Sequence, residues 1–175
     1  MAGGCPTDPS MIEQGAISAT VADWSREQKR PGERSPGKSL LASIRDYQKY
    51  RGLRRKLAVL RHRFWSAVSG ADIPVNCGIA GGLLIPHPNG IVIHPRARIG
   101  PNCLLFQQVT IGDAGGVPTI GGHVDIGAGA KILGPIHIGD HARIGANAVV
   151  LTDVPAGATM VGVPARLVKP RQQAD

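Results

Sequence analysis

From Ile73 onward an aliphatic residue returns every six positions. Ile73, Ile79 and Ile85 form one run, and Ile93, Ile99, Leu105 and Ile111 a second. Ile120, Ile126, Ile132, Ile138, Ile144 and Val150 form a third. Within each run the step never varies. A second apolar or small residue stands two positions earlier, as at Cys77, Ala97, Cys103, Val109, Val124, Ala130, Ala142 and Ala148. Two inward positions one residue apart are what a short extended strand provides, because its side chains alternate between faces. A fixed short period predicts a solenoid. Here it predicts a parallel β-helix in which each hexad supplies one short strand and a turn, and three hexads close one coil.

The period breaks twice. Ile85 to Ile93 spans eight residues, so two are added around His87-Pro88-Asn89-Gly90. Ile111 to Ile120 spans nine, so three are added within residues 112–119, GDAGGVPT. A wall of aliphatic rungs offers little chemistry, so the two loops that leave it are the candidate functional segments.

Upstream, residues 39–68 carry apolar positions at Leu40, Ile44, Tyr47, Leu53, Leu57, Leu60, Phe64 and Val68. Spacings of three, four and their sums predict helix. Ser39 reads as its N-cap and Gly52 divides it in two. The boundaries expected are an extension over 1–37, without fixed structure or partly helical; a basic helical segment over 38–70; the β-helix over 71–155; and a C-terminal cap and tail over 156–175. The cap covers the last rung, which would otherwise be open to water.

Composition narrows the reading. Aromatic residues make up 3% of the chain, so the core rests on small and branched aliphatics. No apolar run is long enough to span a membrane, and residues 1–10 lack a signal-peptide layout, so a cytoplasmic protein is expected. Residues 1–70 hold 13 of the 20 Lys and Arg and 6 of the 12 Asp and Glu, a net of +7, leaving +1 for residues 71–175. The excess reads as a solvated helix face, and the scarcity of aromatics to stack on bases argues against nucleic acid. Cys5, Cys77 and Cys103 show no metal-ligand spacing, and Cys77 and Cys103 fall on inward positions as core filler.

Of six histidines, His62 lies in the basic helix and is expected at the surface. His94, His123, His137 and His141 occupy outward positions of regular hexads, without the spacing of a zinc site. His87 alone sits in an added loop. Asp72 precedes it by fifteen residues, nearly one coil. It either holds one imidazole nitrogen, leaving the other to take a proton, or caps the join between helix and strand. Gly115-Gly116 in the second loop is a weak candidate for bringing a phosphate close to backbone.

The hexads, together with HPNGIVIHP, QQVTIG, IGAGAKILGPIHIGDHARIGANAVVLTDVP and the closing GVPARLV, resemble the serine acetyltransferase-like branch of the left-handed β-helix acyltransferases over about residues 72–168. The resemblance implies a left-handed coil, a homotrimer, and acetyl-CoA in a groove between neighbouring chains, with no metal. It implies acetyl transfer to a hydroxyl, with His87 as general base and Asp72 as its partner. Gly112, Ala128 and Ala146 would line the pantetheine arm, with the backbone near Gly112 facing the oxyanion. Arg143, Arg166 and Lys169 would meet the CoA phosphates.

Two departures bear on the acceptor. Pro86 stands where the family places an acidic residue before the histidine, and Gly116-Val117 stand where it places a polar residue and a second histidine. With Asn89, these form the acceptor loops. A site without charged partners recognises a zwitterion poorly. The resemblance so amended favours a sugar, glycan precursor or natural-product hydroxyl as acceptor. Serine O-acetylation is the alternative, and a non-catalytic β-helix scaffold is the reading from another class.

Overall fold

The computed structural model describes residues 17–168. Two helices, α1 (Pro36–Lys49) and α2 (Gly52–Ser69), precede thirteen short strands. The strands form a left-handed parallel β-helix of about five turns. In chain order they are β1 Gly78–Ile79, β2 Val92–Ile93, β3 Arg98–Ile99, β4 Leu104–Leu105, β5 Thr110–Gly112, β6 Thr119–Ile120, β7 Asp125–Ile126, β8 Lys131–Leu133, β9 His137–Ile138, β10 Arg143–Ile144, β11 Val149–Val150, β12 Thr159–Val161 and β13 Arg166–Leu167. Three sheets make the walls, in the orders β1-β3-β6-β9, β11-β8-β5-β2 and β13-β12-β10-β7-β4.

Every aliphatic of the six-residue period is buried. Each rung repeats the last, so Ile93 lies beside Ile111, and Ile126 beside Ile144. Burying one such side chain is worth about 1.5–3 kcal/mol, which makes the stack the main source of stability. The register records both insertions. Coils without one advance 18 residues, as from Ile120 to Ile138. A coil containing the first loop advances 20, from Ile79 to Ile99, and one containing the second advances 21, from Ile99 to Ile120. The added residues therefore leave the wall while the rungs on either side stay in line.

α1 places Leu40, Leu41 and Ile44 in one cluster with Ile73, Ile79 and Ile85 of the first coil. Its N-cap is Ser35, whose hydroxyl accepts from the Lys38 amide, with Pro36 in the first turn. Ser39, the expected cap, lies inside the helix, buried, with its hydroxyl bonded to the Ser35 carbonyl. Pro36 explains the earlier start, since proline suits the first turn of a helix and costs it no amide bond. α2 begins at Gly52 and ends at Gly70, a left-handed C-cap.

Three segments differ from expectation. Residues 17–35, read as part of an extension, lie against the solenoid as a strap around a 3-10 turn at Trp24–Glu27. Asn102, buried at a corner, accepts from the Asp23 amide and donates to the Ser18 and Val21 carbonyls. Arg26 donates to the Gly82 and Asn102 carbonyls, and Glu27 pairs with Arg45 of α1 at 2.8 Å. The expected segment over residues 1–16 lies outside the described residues. An apolar stripe at helical spacing normally marks the core face, yet in α2 Leu53, Leu57, Leu60, Phe64 and Val68 are all exposed. At the other end, β12 still pairs in parallel with β10 past residue 155, and β13 then turns back antiparallel across it.

Candidate active site

The first inserted loop returns to the chain at Asp72. The Gly90 amide donates to the Gly70 carbonyl at 2.7 Å, the Asp72 amide to the Ile91 carbonyl at 2.8 Å, and the Ile93 amide to the Asp72 carbonyl at 2.9 Å. Gly70 and Gly90 both take positive φ, 66° and 69°. A Cβ on Gly70 would stand 2.6 Å from the Asn89 side-chain nitrogen and push it aside, in a backbone region that favours glycine. The end of the loop carrying His87 is thus bonded to the segment carrying Asp72, which forms a single parallel bridge with Val92. Both side chains are exposed. Among the described residues, no hydrogen bond joins the imidazole to the carboxylate.

The second loop is built around Asp113. Its Oδ1 accepts from the Gly115 and Gly116 amides, both at 3.0 Å, and its Oδ2 pairs with Arg96 at 2.8 Å. The Gly116 amide, more than any other partner, holds the Asp113 carboxyl below its ordinary range. Those two amides are therefore already engaged, and they do not offer the phosphate cradle that Gly115-Gly116 suggested. Gly116 lies against Pro135, where an added Cβ would come within 2.5 Å of the Pro135 Cβ. The polar residue that the family places here would not fit without moving the loop. Val117 is half-buried.

The expected CoA-lining residues fall at two edges of one wall. Ala128 and Ala146 stack at one corner, where the Asn147 amide donates to the Ala128 carbonyl. Arg143 lies three residues before Ala146, on β10, and is exposed. Gly112 closes β5 opposite Leu133, the far end of the strand that follows Ala128. Arg166 is exposed on β13, and Lys169 lies outside the described residues. Pro86 and Asn89 are exposed on the first loop. Pro86 also borders a cavity of about 300 Å³ walled by Leu84 and Ile85 and by Glu33, Arg34 and Lys38 of the lead-in.

Three histidines do more than the reading of the sequence gave them. His62, expected at the surface, is buried between the helices with its Nδ1 3.3 Å from the Ser43 hydroxyl. Burial pushes its pKa down, while the Ile73 carbonyl and the Asp72 charge act the other way. His123 and His141 meet Nδ1 to Nδ1 at 2.8 Å, with rings edge to face. They are 18 residues apart, one uninterrupted coil, and that interval was the available signal. Among the described residues, no group of three or more His, Cys, Asp or Glu could hold a metal ion.

Residues 118–152 match the model of the bacterial transferase hexapeptide family, six repeats. A serine acetyltransferase of Mycobacterium tuberculosis is 42% identical over 119 residues, which are 65% of this chain and 52% of that protein. One from Helicobacter pylori is 43% identical over 106 residues, 58% of this chain and 62% of its own. The chain resembles the serine acetyltransferase-like branch of the hexapeptide-repeat acyltransferases. Solved structures agree. A serine acetyltransferase from Brucella abortus superposes with a TM-score of 0.68 at 33% identity, covering 76% of this chain and 57% of that one. A serine acetyltransferase in complex with CoA gives 0.64 at 37%, covering 76% and 55%. A soybean enzyme complexed with serine gives 0.64 at 39%, covering 76% and 56%. The chain spans about half the length of the curated relatives it matches. These relatives are named for serine rather than for the sugar, glycan-precursor or natural-product acceptor that Pro86 and Val117 suggested.

Proposed function

We propose that the chain is an acetyl-CoA-dependent O-acetyltransferase with serine as acceptor. The observation that carries this is the two-residue insertion that raises His87 beside the segment carrying Asp72, in a solenoid about 40% identical to serine acetyltransferases. His87 takes the proton of the acceptor hydroxyl as its oxygen attacks the thioester carbonyl. The C–S bond then breaks, and the CoA thiolate recovers that proton from the imidazolium. The products are an O-acetyl ester and free CoA thiol. Asp72 orients the ring and stabilises its charged form once substrate draws the two side chains together, a contact that often tightens only in the complex. Gly112 lies across a wall from Ala128 and Ala146, which supports a groove lined by two chains and hence a homotrimer. Arg143, Arg166 and Lys169 then meet the CoA phosphates.

The test is thiol release from acetyl-CoA, with serine, homoserine and a panel of sugars as acceptors. His87→Ala is expected to lower kcat by ~10²–10⁴, the usual contribution of a general base. Unchanged turnover in that variant removes the mechanism. A second reading, a sugar hydroxyl as acceptor, is favoured by the absence of charge at Pro86 and Val117, and turnover with sugars but not serine would establish it. Failure to bind CoA at all would leave a non-catalytic scaffold.

A further inference from the structure

The outer face of α2 is apolar and uncovered. Leu53, Leu57, Leu60 and Phe64 follow one another at intervals of four, three and four residues, and Val68 extends the line. They are 83, 56, 65, 60 and 51% exposed, respectively. The opposite face is occupied, since Ala58, His62 and Ser69 are buried and His62 reaches Ser43 of α1. A continuous apolar stripe of this size on a soluble surface marks an interaction site.

The borders of the stripe say what covers it. Arg54 and Arg61 run along one edge, Lys56 and Arg63 along the other, and all four are exposed. No Asp or Glu occurs between Asp46 and Asp72. These are the flanking positions of a heptad seam, where charge decides the partner. Two copies of α2 packed along this seam would oppose cation to cation in either orientation. Residues 1–16 and 169–175 offer little to cover it, with Met1, Met11 and Ile12 as their large apolar side chains. The occupant must therefore be apolar in the middle and negative along both sides. Among the described residues, Arg61 alone of these four cations has a carboxylate partner, Asp46 of α1. A surface with negative charge spread across it meets both borders at once, whereas a single groove must place a carboxylate at each.

We propose that α2 docks the protein on an anionic membrane surface. Leu57, Leu60 and Phe64 enter the boundary between headgroups and acyl chains, and the flanking arginines and lysine extend sideways to lipid phosphates. The mode is interfacial, as no helix among the described residues is long and apolar enough to cross a membrane.

Co-sedimentation of the full chain with vesicles tests this, using phosphatidylcholine alone or mixed with phosphatidylglycerol. Wild type is expected to bind the mixed vesicles, to leave the neutral ones, and to be released by salt. Leu57→Gln/Phe64→Gln is expected to bind about tenfold or more weakly, since two large apolar side chains leave the lipid. Arg54→Gln/Lys56→Gln/Arg63→Gln should lose the preference for phosphatidylglycerol. Both variants should keep the wild-type melting temperature and oligomeric state, which separates docking from folding. Equal binding to both vesicle types overturns the proposal. So does a change of oligomeric state in the Leu57/Phe64 variant, which would make the stripe a contact between copies. Binding to an acidic amphipathic peptide with none to vesicles overturns it in favour of a protein partner.

Discussion

Cys77 and Cys103 show how far a single position in the repeat determines chemistry. Each stands two residues before a rung aliphatic and is buried, and burial pushes each thiol up to about 11. The thiolate is the nucleophile, so at pH 8 both are almost wholly in the unreactive form and are also screened from reagent. In native buffer, N-ethylmaleimide should leave the peptides containing these two residues unmodified, and in denaturant it should modify both, as read by mass spectrometry. Modification of either in the folded protein would contradict the packing. These cysteines were legible in the sequence because the period alone assigns them inward. His62 was not legible. Its burial comes from the face α2 turns toward α1, and helical spacing says which residues share a face without saying which face turns inward.

At the scale of the element, the rungs and both inserted loops could be read directly, since a six-residue step leaves one register and every insertion shows as a miscount. The stripe on α2 was equally visible, but its period does not say which way it turns, and it faces outward although apolar periodicity normally marks the core face. The strap over residues 17–35 left no periodic trace. It is held by Asn102, Arg26 and Glu27 through polar contacts, largely to backbone carbonyls and amides, and such contacts carry no pattern in the sequence. Asn102 is the place to test it. Its backbone has φ 61°, which glycine adopts freely, while its side chain makes three hydrogen bonds to the strap. Asn102→Gly should therefore keep the corner and lose the grip, at a cost of about 2–3 kcal/mol by the usual net value per bond. Limited proteolysis should then cut within residues 17–30 at protease concentrations that leave wild type whole. Equal resistance in the two proteins would show that Trp24 and the Glu27–Arg45 pair suffice to hold the strap.

For the molecule as a whole, acid should loosen the fold well before the carboxylates titrate. Burial is the largest cause lowering the pKa of both His62 and His123. At His123 the charges of His141, Arg26 and Arg143 add to it, and Asp125 opposes it. The His123–His141 contact also needs one ring nitrogen to accept, which a pair of protonated rings cannot provide. In the unfolded chain both histidines titrate near the ordinary value of about 6.5. The folded chain keeps them neutral further into acid, so the unfolded state binds more protons there and stability falls as pH falls. The contribution is complete above about 6.5 and declines from that point down through the lower pKa of the folded state. Melting temperatures should therefore be level from pH 8 to about 6.5 and fall from there to pH 5. His123→Asn isolates the corner pair, because asparagine tolerates the positive φ of 51° that His123 adopts and does not titrate. The variant should show a shallower decline than wild type over the same range, the remaining slope belonging to His62. A wild-type melting temperature that rises on acidification, or a variant whose decline runs parallel to it, would mean that the stacked histidines carry no part of the acid sensitivity.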